Sequence, residues 1–165
     1  VFGDTHARSW DEVHPAVRAA VDEADIAVHC GDIVRMAVVD GFRAAAKRAI
    51  VVCGNSDPPD LWRALPAKEH FEVDGLRIGV THPIWGAEEF EPPRLLPDFS
   101  DGGVPAVDVI CYGHLHEPLI ETAGGVLFVN GGQAYPSFLV PATVVWLTIE
   151  RGVASAEIVE VAPAE

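Results

Sequence analysis

Two hydrophobic periods divide the chain. In the first third, apolar residues recur every three to four positions over residues 11–24 and 35–48, which predicts two amphipathic helices. Short apolar runs at 1–2, 26–29 and 49–52 alternate with them and read as strands, the first being the tail of a strand with a short stretch expected before Val1. Pro15 suits the first turn of its helix, where no N–H is needed. Further on the period shortens to two. Runs at 69–73 and 76–81 flank Asp74-Gly75, a dipeptide that accepts the positive φ of a hairpin. More strands are predicted at 107–112, 119–122, 126–129, 143–150 and 153–161, with turns at Gly124-Gly125 and Arg151-Gly152. Parallel strand–helix units followed by hairpins predict an α/β fold with two packed sheets flanked by helices. No repeat or linker interrupts the chain, so residues 1–165 are expected to form one domain. Between His82 and Val107, Pro83, Pro92, Pro93, Pro97 and Pro105 predict an irregular loop of the kind that shapes a site.

Composition narrows the class. The 165 residues are 49% hydrophobic and 22% charged, which suits a folded domain rather than a disordered chain. No apolar run approaches the roughly 18 residues of a membrane-spanning helix. With no signal-peptide pattern, a cytoplasmic protein with no membrane partner is expected. The net charge is −14, and beyond Arg94 the only basic residue is Arg151, against nine Asp or Glu. A polymeric nucleic acid is therefore a poor substrate, since it calls for a basic stripe. Arg35, Arg43, Lys47 and Arg48 read as a solvated helix face. Cys30, Cys53 and Cys111 form no C-x-x-C pair and read as small buried hydrophobes in a reducing compartment.

Candidate chemistry lies at the ends of the apolar runs. Four of them stop at Gly followed by a group able to bind metal: Gly3-Asp4, Gly31-Asp32, Gly54-Asn55 and Gly113-His114. Glycine permits the sharp exit from a strand, and the carboxyl ends of parallel strands gather along one crevice. Two cassettes carry a second group two residues on, Asp4-Thr5-His6 and His114-Leu115-His116, and a fifth strand ends at His82. Two carboxylates, one amide oxygen and four imidazoles exceed the needs of one ion. They suit two divalent ions bridged by Asp32, in a shell of oxygen and nitrogen. Paired ions of this kind hydrolyse phosphate esters by supplying hydroxide and clamping an in-line displacement.

The ordered motifs Gly-Asp-Thr-His at 3–6, Gly-Asp at 31–32, Gly-Asn at 54–55, His82, and Gly-His-Leu-His at 113–116 resemble the calcineurin-like metallophosphoesterases. The short chain and Gly-Asn-Ser-Asp at 54–57 are most similar to the small bacterial and archaeal phosphodiesterase branch. The resemblance implies a four-layer αββα sandwich of two mixed sheets. It places Asp4, His6, Asp32 and His116 on one metal and Asp32, Asn55, His82 and His114 on the other, with Asp32, Asn55 and His82 also carried over as catalytic. The implied cofactor is a pair of divalent ions, Mn²⁺ first, with Fe²⁺, Zn²⁺ and Ni²⁺ as alternatives. The implied activity is hydrolysis of a small phosphate diester by a hydroxide held between the metals, and a homo-oligomer is among the expected assemblies. Two other readings stay open: a nucleotide phosphatase or pyrophosphohydrolase, and a non-catalytic binding scaffold on the same fold.

Three places depart from the pattern. Ser56 stands where many relatives carry a His that protonates the leaving group, which predicts a preference for aryl diesters. Asn130-Gly131-Gly132-Gln133 replaces the family's Asn-Pro-Gly-Ser, and His82-Pro83-Ile84 its His-Gly-His. Asp57 reads equally as a ligand-orienting group, an acid or a turn residue. Trp85 reads as loop packing or as a stacking surface for an aromatic group, His14, His29 and His70 as surface or packing residues, Trp10 and Trp62 as packing, and Trp146 as strand core.

Overall fold

A computed structural model describes residues 1–84 and 91–164. Trp85 lies outside the described residues. The first half runs α1 (Pro15–Glu23), β1 (Ala27–His29), α2 (Met36–Ala45), β2 (Ala49–Val51) and α3 (Pro59–Ala64). The second half adds β3 (Lys68–Val73), β4 (Leu76–Thr81), a short hairpin of β5 (Ser100–Asp101) and β6 (Val104–Pro105), then β7 (Val109–Tyr112), β8 (Pro118–Ala123), β9 (Val126–Gly131), β10 (Ala142–Glu150) and β11 (Val153–Ala162).

One sheet has the order β3-β4-β7-β9-β8. Its centre is parallel, β4 with β7 and β7 with β9, and both edges are antiparallel hairpins. The other joins the parallel pair β1–β2 to the β10–β11 hairpin through the chain's first residues. Phe2 bridges His29 of β1, and Val1 exchanges two 2.8 Å backbone hydrogen bonds with Val145 of β10.

Alternation within the strands sorts the side chains into layers. Val80, Val109, Cys111 and Val129 face Val28, Val52 and Val145 between the sheets. Ile110, Tyr112 and Phe128, on the opposite face of β7 and β9, are covered by Leu95 and Phe99. Val17 and Val21 of α1 and Val38, Val39 and Phe42 of α2 cover the first sheet. The layers are therefore helices, sheet, sheet and an outer segment, as the resemblance implies. That outer segment, Pro92–Phe99, is a 3-10 helix, because three prolines lack the N–H that α-helical bonding needs.

Several local expectations shift. Residues 11–24 break into a 3-10 turn, Trp10–Glu12, and α1, because Pro15 restricts the residue before it; His14 leaves the helix and caps it, accepting from Ala16 N at 3.3 Å. α2 stops at Ala45, short of the basic pair Lys47-Arg48. The proline-rich stretch is not all irregular, since β5–β6 follows the 3-10 helix. Trp10 packs on Phe42 at 5.8 Å and Trp146 is half-buried, whereas Trp62 is 40% exposed and is not a core residue. Among the described residues no helix is long and apolar enough to cross a membrane.

Candidate metal centre

Strand ends deliver the groups. The segment at Val1–Gly3, β1, β2, β4 and β7 all end at the same edge of the sandwich, so Asp4, Asp32, Asn55, His82 and His114 leave their strands there. The loops interlock: Asp4 N donates to Gly31 O at 3.0 Å and His6 N to Asp32 O at 3.2 Å. Close approach explains a glycine at 54, where a Cβ would lie 2.2 Å from Asp32 Oδ1.

Asp4, His6, Asp32 and His116 each place a ligand atom within 4.8 Å of the others. His116 Nε2 is 3.3 Å from Asp4 Oδ1, and His6 Nε2 is 3.7 Å from Asp32 Oδ2. Asp4 Oδ1 and His6 Nε2 are buried without a hydrogen-bond partner, which is costly unless a cation meets them. The Asp4 carboxylate beside it, against the opposing effect of burial, raises the His116 pKa.

The remaining groups meet on the other side of Asp32. Asn55 Oδ1 lies 2.9 Å from His82 Nε2 and 2.8 Å from His114 Nδ1, and His82 Nε2 is 3.5 Å from Asp32 Oδ1. His82 Nδ1 donates to the Cys30 carbonyl at 2.7 Å, so a neutral ring turns its Nε2 lone pair toward two oxygen acceptors. Lone pairs converging this way call for a positive charge between them. Asp32 thus turns one oxygen toward each group, and all seven expected residues lie in one cluster.

Around them sits a supporting shell. Ser56 donates twice to Asp32, from N to Oδ1 and from Oγ to Oδ2, both at 2.7 Å. Ser56, which departs from the family pattern, therefore orients the Asp32 carboxylate. Asp57 is buried and accepts from Ile33 N at 2.7 Å, Val34 N at 2.6 Å and Gly54 N at 2.7 Å, which clamps the Asp32 loop to the Asn55 loop. Its carboxylate orients the loops that carry Asp32 and Asn55. His29 is fully buried against Thr5 Oγ1 at 3.1 Å, and burial drives its pKa down to about 3, while His70 is exposed. Burial pushes the Cys53 thiol up to about 11 and Cys111 to about 12, and holds Cys30 well above the usual range, so none offers a thiolate.

Two residues were not picked out as site residues from the sequence. Gln133 lies with its Oε1 3.1 Å from His116 Nδ1, and the Tyr135 ring stands edge-on to His6 at 5.9 Å and His116 at 6.4 Å. The only signal for them was the altered Asn-Gly-Gly-Gln motif, which marked the place without the role.

The family model for the calcineurin-like phosphoesterase superfamily domain matches residues 1–152. The chain belongs to this superfamily. It is 32% identical over 138 residues to a probable metallophosphoesterase of Methanocaldococcus jannaschii, a match spanning 81% of the chain but 66% of that relative. A phosphodiesterase of the same organism is 27% identical over 145 residues, 81% of each chain. Among solved structures, Vps29 of Chaetomium thermophilum superimposes with a TM-score of 0.73 at 18% identity, covering 99% of this chain and 96% of that one, a likeness of fold. The superfamily is one of phosphoesterases, and the clustered donors of this chain fit a divalent metal.

Proposed function

We propose that the protein is a metal-dependent phosphodiesterase acting on small diesters, holding one divalent ion with Asp4, His6, Asp32 and His116 and a second with Asp32, Asn55, His82 and His114. The observation that carries this reading is the pair of buried atoms without hydrogen bonds, Asp4 Oδ1 and His6 Nε2, inside a group of donors within 4.8 Å. Bound ions supply an activated water and neutralise charge on the phosphate oxygens. The oxygen and nitrogen donors, with cysteines held as thiols, suit Mn²⁺, with Fe²⁺, Zn²⁺ and Ni²⁺ as alternatives.

The chain's own residues supply position. Ser56 orients Asp32 through two 2.7 Å hydrogen bonds, and the Cys30 carbonyl orients His82. Ser56 Oγ is committed as a donor to Asp32, which leaves it without a proton for a leaving group and favours aryl diesters, whose leaving groups need little protonation. The net charge of −14 disfavours highly charged nucleotides as substrates. A pure scaffold has no use for buried donors without hydrogen bonds, and that reading ranks below the enzyme.

Elemental analysis paired with hydrolysis of bis(p-nitrophenyl) phosphate and p-nitrophenyl phosphate tests the proposal, using wild type and Asp32→Asn with and without Mn²⁺. Two bound metals and faster diester turnover are expected, with Asp32→Asn reducing kcat/KM by about 10³-fold or more. Bound metal without turnover of either ester shifts the reading to the scaffold. Protein that takes up no metal overturns the site.

A further inference from the structure

Gln133 is buried, and both its backbone and its side chain are tied to His116. Its N–H donates to the His116 carbonyl at 3.1 Å, and its own carbonyl accepts from Thr143 N at 3.0 Å. The side-chain amide has three neighbours that permit one assignment. Nε2 lies 2.7 Å from the Tyr135 backbone carbonyl and 2.7 Å from Ser137 Oγ. A backbone carbonyl only accepts, so the end facing it is the NH₂ group. The other end, 3.1 Å from His116 Nδ1, is therefore the amide oxygen. That oxygen also only accepts, which puts a proton on Nδ1. The nitrogen left facing Asp4 Oδ1, 3.3 Å away, is Nε2.

We propose that Gln133 is a positioning residue that holds His116 in its Nδ1–H form with Nε2 directed at the Asp4 group, and that the loop after Gln133 sets the polarity of this bond. The metal-binding reading above supplies the use of Nε2, while the hydrogen-bond polarity stands apart from it. The loop is built to hold the amide. Ser137 and Val140 exchange backbone hydrogen bonds of 2.9 and 3.1 Å, closing a tight turn that keeps Ser137 Oγ and the Tyr135 carbonyl on one side of Gln133. If the amide turned over, its NH₂ would face His116 and select the Nε2–H form, which has no lone pair on Nε2 for a cation. Ligand histidines are commonly fixed through their second nitrogen, and losing that partner typically costs 10- to 100-fold in metal affinity, roughly the scale expected here.

The test uses Zn²⁺ as a diamagnetic probe, ¹⁵N-labelled protein and long-range ¹H–¹⁵N spectra of the histidine rings, with Zn²⁺ affinity read by competition against a chromophoric chelator. In wild type, His116 is expected to carry its proton on Nδ1 both with Zn²⁺ and after chelation. Gln133→Met is expected to lose that preference and bind Zn²⁺ about 10- to 100-fold more weakly, whereas Gln133→Glu, which still accepts from Nδ1–H, retains the Nδ1–H signal. Gln133→Met with an unchanged ring signal and affinity within about twofold of wild type overturns the proposal. So does a wild-type ring with no proton on Nδ1, a reading that does not depend on any variant folding. Absence of Zn²⁺ binding in wild type would remove the metal reading, and the ring spectrum of the chelated protein would still decide the role of Gln133.

Discussion

At the end of the sandwich where the β3–β4 and β10–β11 hairpins turn, Asp74 and Arg151 take φ values of 47° and 55°, each followed by a glycine at positive φ. At the opposite end Asp4, His6, Asp32, His114 and His116 take 52°, 46°, 55°, 88° and 61°. The same left-handed backbone serves different purposes. In the hairpins it matches the twist of the flanking strands, and its polar groups are satisfied: Gly152 N donates to Asp74 Oδ2 at 3.0 Å. At the strand ends no hairpin asks for it. There it brings five side chains to one cluster and leaves Asp4 Oδ1 and His6 Nε2 buried without hydrogen bonds. Strain held against burial in this way is a mark of a functional site rather than of a turn.

Substitutions that treat the two ends differently sharpen this contrast. The largest effect is expected for Asp57→Ala, which strands the N–H groups of Ile33, Val34 and Gly54; a loss of about 3 to 5 kcal/mol should appear in urea unfolding, together with weaker metal uptake. Next comes a matched pair of glycines. Gly31 and Gly75 have φ of 93° and 81°, but a Cβ at 31 would meet the His82 ring at 2.7 to 2.9 Å while a Cβ at 75 meets nothing within 4 Å. Gly75→Ala should cost only the backbone term of about 1 kcal/mol, leaving hydrolysis intact. Gly31→Ala should cost about 2 kcal/mol or more and reduce metal affinity, because the ring must move. Equal behaviour of the two variants would break the comparison.

A pH effect belongs to the site end as well. Burial lowers the His29 pKa from its usual 6.5 to about 3, so the ring stays neutral in the fold while the unfolded chain takes up a proton below about 6.5. The stability conferred by the neutral ring is complete above pH 6.5 and is lost as the pH falls toward 3. In EDTA-treated protein, His29→Asn should flatten the stability–pH slope across this window by up to about 1.4 kcal/mol per pH unit. An unchanged slope would mean that His29 is not a buried neutral ring. The smallest effect is expected at the far end, where Arg77 holds Asp108 through bonds of 3.2 Å and keeps its carboxyl below the usual range. Both groups are solvent-accessible, so Arg77→Ala should change stability by less than about 1 kcal/mol and leave diester turnover unchanged.

Much of this protein was written locally. The change of hydrophobic period gave the helix-flanked β1–β2 unit and the hairpins, and Asp74-Gly75 and Arg151-Gly152 fall at the turns as their conformational freedom requires. The seven donor positions were legible because each follows a strand, and in a parallel sheet that fact alone sends them to one edge. Other features were not legible. α3 was missed because six residues opened by Pro58-Pro59 carry too little periodicity to register, and Pro92–Phe99 read as a loop because its prolines hid a 3-10 helix that covers Ile110 and Phe128.

Residue roles divide the same way. A donor's identity is a property of its own side chain, so Asp4 or His116 can be named from sequence. What Ser56, Asp57 and Gln133 do depends on partners 17 to 24 positions away: Asp32, the amides of Ile33 and Val34, and the His116 ring. A hydrogen bond needs its partners within about 3 Å and correctly aimed, and only the packing of one strand end against another brings them there. The sequence by itself determined which groups are available for chemistry at the edge of the sandwich. The tertiary structure alone decided which of their lone pairs are committed and which are left facing one another.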